Sequence, residues 1–198
     1  MAVRKFNEVD KFLVERWVEI SELADAQNEV RETVEELHDE AIARLKDWGE
    51  QNGLEAGGSA KKGELWAFKK EWQHNGGDAL VTLFVEGTTA DALFTNSLRP
   101  ASGVWCQQLK QIEQARQFRH DFGTLLRTGV GSLAGPWSDA KAVDHNSPLK
   151  RYLPAGDFKA AVEDGEKFLA LVMAEFSKLS EFVKGIDQAL AKMMKKQG

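Results

Sequence analysis

Between residues 157 and 196 the apolar side chains fall into two interleaved series. Val162, Leu169, Phe176, Val183 and Leu190 recur at intervals of seven, and Gly165, Val172, Leu179, Ile186 and Met193 repeat the interval with an offset of three. A seven-residue apolar period in a stretch free of proline places one narrow stripe along a long helix. The other end of the chain carries a matching pattern. Phe6, Val9, Leu13, Trp17, Ile20, Leu23, Val30, Val34, Leu37, Ala41, Leu45 and Trp48 lie mostly three or four apart, with no proline or glycine before Gly49. This predicts a helix of about 40 residues, roughly 60 Å long. Asn7 is a candidate N-cap, and the glycines at 49 and 53 are a stop. Gln27 interrupts the stripe, either as a polar residue that fixes register or as a solvated gap in it.

Two stripes of similar length predict that the terminal helices pair antiparallel, with Phe6 near Met193 and Trp48 near Val162. The expected fold is mainly α with a small α+β insertion: a long helix over 1–52, an insertion over 54–155, and a second long helix over 157–198 packing on 1–52. A pair of helices buries only part of each stripe, so a homodimer through the long helices, giving a four-helix arrangement, is a further expectation.

The middle of the chain is patterned differently. Residues 51–63 are rich in Gly, Ser and Ala and read as a flexible connection. In residues 64–73 Trp66, Phe68, Lys70 and Trp72 share one face if the backbone is extended. His74, Asn75, Gly76, Gly77 and Asp78 then supply turn chemistry, and residues 79–86 form a β-rich apolar run. A hairpin over about 64–86 follows, which needs more strands or a helix to cover it. Residues 88–97 fit a short helix opened by Thr88 and Asp91 or a third strand, and 103–109 are equally open. Leu109, Ile112, Phe118 or Arg119, Phe122 and Leu126 predict a helix over about 105–127. Residues 128–156 have no clean period. Irregular segments of that length bind something, are disordered, or hide a short element.

Composition bounds these expectations. With 198 residues, 42% hydrophobic and 29% charged, the chain suits one domain with its own core. No apolar run approaches the roughly 20 residues that span a bilayer, and residues 1–10 lack the apolar core of a signal peptide. A cytoplasmic protein without membrane attachment is expected. The net charge of -5 is uneven: residues 1–52 hold 14 acidic and 7 basic residues, whereas residues 53–156 hold 10 and 12. The acidic balance disfavours a duplex-coating protein, while the middle leaves room for local anion binding. A single cysteine, Cys106, excludes an intrachain disulfide and has no neighbouring base or cation to activate it, so it reads as a buried, inert residue.

Candidate chemistry is sparse. Residues 128–135 (TGVGSLAG) lack both the dinucleotide spacing and the lysine of a phosphate loop. His38, His74, His120 and His145 are not paired at helical spacing, and His38, beside Asp39, reads as a solvated helix residue. No coherent catalytic set, metal site or cofactor is expected. Lys61, Lys62, Lys69 and Lys70 interleave with Trp66 and Trp72, the combination with which single-strand binders stack bases and follow phosphates. The plainer reading makes those rings the apolar face of a hairpin and the lysines its wet side. The chain is therefore read as a non-enzymatic interaction or scaffold protein that binds another macromolecule, a protein first, through Trp66, Trp72 and Trp137. A nucleic-acid-binding protein using Lys61, Lys62, Lys69 and Lys70 is the alternative. A metal-dependent hydrolase or nuclease built from Asp139, Lys141, Asp144 and His145 is the second alternative.

Overall fold

A computed structural model of the protein describes residues 7–73, 78–95, 98–106, 115–138, 142–144 and 146–194, with the backbone alone for 115–119 and 194. The N-terminal apolar period gives α1 (Glu8–Glu15) and α2 (Trp17–Gln51). Asn7 and Asp10 form a reciprocal capping box that satisfies two orphan N–H groups of α1. Arg16, at φ -110° and ψ 20°, breaks the helix between them. Gly53 takes a left-handed φ of 67°, and the Leu54 N–H returns to the Gly49 carbonyl to close α2.

The chain then builds β1 (Glu55–Ser59), β2 (Glu64–Phe68), β3 (Thr82–Glu86), β4 (Ala101–Trp105) and β5 (Leu149–Tyr152). They form one five-stranded sheet in the order β1-β2-β3-β4-β5, every neighbouring pair antiparallel. Between and after the strands lie α3 (Ala90–Thr95), α4 (Ala115–Val130), α5 (Ala155–Ala161), α6 (Gly165–Ser180) and α7 (Val183–Met194).

The inner face of the sheet alternates into the core through Leu65 and Ala67, Leu83 and Val85, Val104, and Leu149, all buried. Phe168, Leu169, Val172, Phe176 and Leu179 of α6 join the same core, as do Ala41 and Leu45 of α2. Burying each of the Val, Leu and Phe side chains contributes about 1.5–3 kcal/mol.

This architecture corrects the expected fold in three places. The terminal helices do not pair antiparallel along their length. Where α2 meets α6, Leu37 lies beside Gly165, His38 beside Phe168 and Trp48 beside Phe176, so the residue numbers rise together and Trp48 does not meet Val162. The C-terminal stretch is not one helix. It breaks at 162–164, where the Asp164 side chain accepts from Lys167 N–H to start α6, and again at Glu181 and Phe182. After that second break α7 runs against α4 instead, where the missing Cβ of Gly185 lets the backbones close on Val130 and Gly129. Finally, the glycine-rich stretch read as a flexible connection contains β1. Gly57 and Gly58 are needed there because a Cβ would strike the Trp66 ring at the first and the Glu64 carbonyl oxygen at the second. The expected contact of Phe6 and the turn at 74–77 lie outside the described residues.

The ambiguous stretches also take definite forms. Within 88–97 a helix forms, capped by Thr89 rather than Thr88: the Thr89 hydroxyl accepts from the Ala92 N–H. Within 103–109 the backbone to Trp105 is strand β4. The irregular stretch 128–156 contains a 3-10 helix, Gly131–Trp137, strand β5 and the start of α5.

Candidate functional site

The outer face of the sheet is the feature of the structure best suited to recognition. One cross-strand row runs through all five strands: Gly57, Trp66, Phe84, Gly103 and Lys150. Two aromatic rings sit at its centre, and a glycine flanks them on each side. A Cβ at Gly57 would fall 2.6 Å from the Trp66 ring, so the missing side chain is the seat of that indole. On the other side, the Lys150 ammonium reaches across Gly103 to lie 5.5 Å from the centre of the Phe84 ring. Phe68 stacks on Trp66 with ring centres 5.5 Å apart, and Trp105 follows Gly103 on the same face.

These rings floor an open cleft of about 630 Å³. Trp66 is 36% exposed and Trp105 39%, large fractions for side chains of this size. Among the described residues, the charged groups lining the cleft are Glu64, Asp78, Glu86, Asp144 and Lys150. Lys150 is already engaged with Glu86 at 2.7 Å. Asp144 is held in place by its own turn, accepting from the N–H groups of Asn146 at 2.6 Å and Ser147 at 2.9 Å. The cleft is therefore aromatic at its floor and acidic at its rim.

The candidate residues named from sequence divide sharply. Trp66 stands in the cleft. Trp72 is 2% exposed: the strand ends at Phe68, a 3-10 turn follows, and the indole swings into the core, where its N–H donates to Asp187 at 2.8 Å. Trp137 is 4% exposed, edge-on to Phe182 and covered by the Arg151 guanidinium 4.3 Å above its ring. Lys69 pairs with Asp187 at 2.7 Å. Lys61 and Lys62 are exposed on the 3-10 turn before β2, and Lys70 is exposed beyond the end of that strand. The sequence missed Phe84 and Trp105. For Trp105 the signal was the alternation of Ser102 and Val104 with Gly103 and Trp105, obscured by the apolar spacing that suggested a helix from 105; Phe84 sat in a run that was apolar at nearly every position, so no alternation told its face.

Of the alternative metal set, Asp144 stands at the cleft rim, while Asp139, Lys141 and His145 lie outside the described residues. Among the described residues, no group of three or more His, Cys, Asp or Glu side chains is arranged to hold a metal ion. Cys106 is wholly buried. No helix among the described residues is long and apolar enough to cross a membrane.

Two buried polar clusters lie behind the sheet. His38, expected to be solvated, is fully buried, with Nδ1 2.8 Å from the Val34 carbonyl and Nε2 2.7 Å from the Thr88 hydroxyl. A carbonyl only accepts, so Nδ1 carries a proton; in the neutral ring Nε2 accepts from the Thr88 hydroxyl, which also lies 3.3 Å from the Gly63 carbonyl. Burial pushes its pKa down, against the Val34 carbonyl and the nearby Asp39 and Glu35. Glu175 receives Arg151 at 2.7 and 2.6 Å, Lys178 at 2.8 Å and Ser102 at 2.9 Å. Burial pushes its carboxyl up, but these hydrogen bonds and the Arg151 charge outweigh it and hold the group below its usual range. Both clusters tie elements together: the first joins α2 to the loop after β3, the second joins β4 and β5 to α6. Comparison of the chain with family models, with curated proteins and with solved structures finds no match.

Proposed function

We propose that the chain is a non-enzymatic interaction protein that recognises a protein partner on the outer face of its sheet. The observation that carries this is the aromatic floor of the cleft, in which Trp66 and Trp105 are exposed around the buried Phe84 and two glycines leave the rings room. Rings of this kind supply most of the energy of a protein contact. The acidic rim adds a preference for partner segments bearing lysine or arginine, whose charged heads lie over aromatic rings and pair with carboxylates. Lys150 on Phe84 and Glu86 is an example of that contact within the chain itself. Phosphodiesters suit this rim poorly, and a nucleic-acid reading would rest on the exposed Lys61, Lys62 and Lys70 instead. A cytoplasmic setting belongs to the same proposal, supported by a lone buried cysteine.

The test is a tryptophan-fluorescence titration with three probes: an arginine-rich nonapeptide, a glutamate-rich nonapeptide and a single-stranded oligonucleotide. The arginine peptide is expected to quench Trp66. Glu64→Gln with Asp144→Asn should weaken it at least fivefold, and Glu22→Gln with Asp25→Asn, remote from the cleft, should not. Equal weakening by both double variants would reduce the effect to overall charge and overturn the cleft assignment. Preferential binding of the oligonucleotide, lost in Lys61→Glu with Lys62→Glu, would replace it with the nucleic-acid reading.

A further inference from the structure

The apolar stripe of α2 outlasts the body it packs on. From Val34 onward the stripe is covered, with Val34, Ala41 and Leu45 buried. Between Asn7 and Thr33 no residue is buried, although the same spacing continues through Val9, Leu13, Ile20, Leu23, Gln27 and Val30. Trp17 is 66% exposed and Leu23 72%. At 1.5 Å per residue, residues 17–33 alone extend about 25 Å beyond the buried part of α2, with α1 beyond them. A helix with an uncovered stripe in line with a covered one is half of an interface.

We infer that this arm pairs antiparallel with the arm of a second copy of the chain. In heptad terms Ile20 and Gln27 share one seam position and Leu23 and Val30 the other. Glu22, Asp25, Glu29 and Glu32 then occupy positions turned away from the seam, while Glu8 and Glu15 belong to α1, beyond the break at Arg16. Of the two remaining arm carboxylates, Asp10 completes the capping box and Glu19 pairs with Arg16 at 3.0 Å. The acidity of the α2 part of the arm therefore lies on its outer side and leaves the seam free for an identical helix, whereas an anionic membrane would be repelled by it. The body dictates the direction. It hangs on the stripe itself, so two parallel helices would force both bodies into one space, and two antiparallel ones put them at opposite ends. The six stripe residues, five of them exposed and Ile20 partly so, offer with Trp17 roughly 600 Å² per copy, on the order of 1,200 Å² per pair, the lower bound of a specific interface. The pair should thus form with roughly micromolar affinity.

This rests on the interaction-protein reading but not on the aromatic face, so each fails separately. Sedimentation across a hundredfold range of concentration should show the mass rising from monomer to dimer. Leu23→Glu with Val30→Glu should leave a monomer with an unchanged circular dichroism spectrum, since neither side chain is buried. A spin label at Glu36→Cys, with Cys106 wholly buried and unlabelled, should report about 50 Å between copies when the arms overlap around Ile20. A monomer at every concentration would overturn the inference, as would a dimer that survives the double substitution. A separation below about 30 Å would overturn the antiparallel arrangement. The arginine-peptide titration is unaffected by any of these outcomes.

Discussion

Replacing Glu175 by Gln should be among the most damaging single changes in the molecule. The carboxylate is 8% exposed and faces Arg151, 24% exposed, and Lys178, 51% exposed. Removing one partner of a fully buried ion pair costs about 3–5 kcal/mol, because the remaining charge loses its compensation. Lys178 reaches water readily and adds little. Arg151 does not: its Nε is buried without a hydrogen-bond partner, and its guanidinium is flattened on Trp137. Weighted by the exposure of Arg151, the expected loss is about 3 kcal/mol, equivalent to a fall in Tm of about 6–12 °C for a chain of this size. Urea and thermal unfolding followed by near-ultraviolet circular dichroism would measure it. A double-mutant cycle with Arg151→Met separates the pair from its surroundings and should give a coupling of about 2 kcal/mol. The pH dependence supplies a second check. A carboxyl held below its ordinary range stabilises the fold above its unfolded value, and that contribution is lost as pH falls through the folded value. Wild type and variant should therefore converge in acid. A coupling below about 0.5 kcal/mol, or a difference unchanged in acid, would refute the role given to the pair.

Three further outcomes follow from the geometry. His38 is a buried base with a lowered pKa, so its contribution is complete above the ordinary value of 6.5 and is lost as pH falls from there through the folded value. Stability measured between pH 7.5 and 5.5 should fall, and His38→Gln should flatten the slope. Trp72→Phe leaves the core volume nearly intact but removes the indole donor to Asp187, a cost of about 1.5–3 kcal/mol for a bond to a charged acceptor, readable by chemical denaturation. At Gly103 a Cβ would run into the Leu149 carbonyl oxygen of the neighbouring strand, so Gly103→Ala should lower Tm by several degrees; an unchanged Tm would show that β4 and β5 are less closely apposed than described.

How much of this was legible in the sequence depended on the kind of signal. The seven-residue period marked where helices carry an apolar stripe, but a stripe states only that something covers it. Its partner was misassigned, because the sheet and α6 cover the second half of α2 and α7 turns away to α4. The glycines that allow this, Gly185 against Val130 and Gly57 beneath Trp66, leave no periodic trace. Strand β5 was hidden for a related reason: in Leu149–Tyr152 only Leu149 is buried, and Lys150 and Arg151 carry the rest as long polar side chains. Aromatic count drew attention to Trp66, Trp72 and Trp137 alike. What separated them was the end of β2 at Phe68 and the packing of Arg151 on Trp137, both products of tertiary contact. His38 looked solvated because it stands beside Asp39 with no partner histidine at helical spacing, yet its position four residues after Val34 puts it in line with the covered stripe.

The aromatic face is the centre of this account, and site-specific photo-crosslinking tests it most directly. A benzophenone side chain would be placed in turn at Trp66, at Trp105 and, as controls, at Glu163 in the exposed turn before α6 and at Lys192 on the exposed side of α7, in an extract of the source organism. A discrete protein adduct is expected from Trp66 and Trp105 only, suppressed by excess unlabelled protein but not by excess protein carrying Trp66→Ala with Trp105→Ala. Adducts of equal yield at the control positions, or competition undiminished by the double substitution, would contradict it.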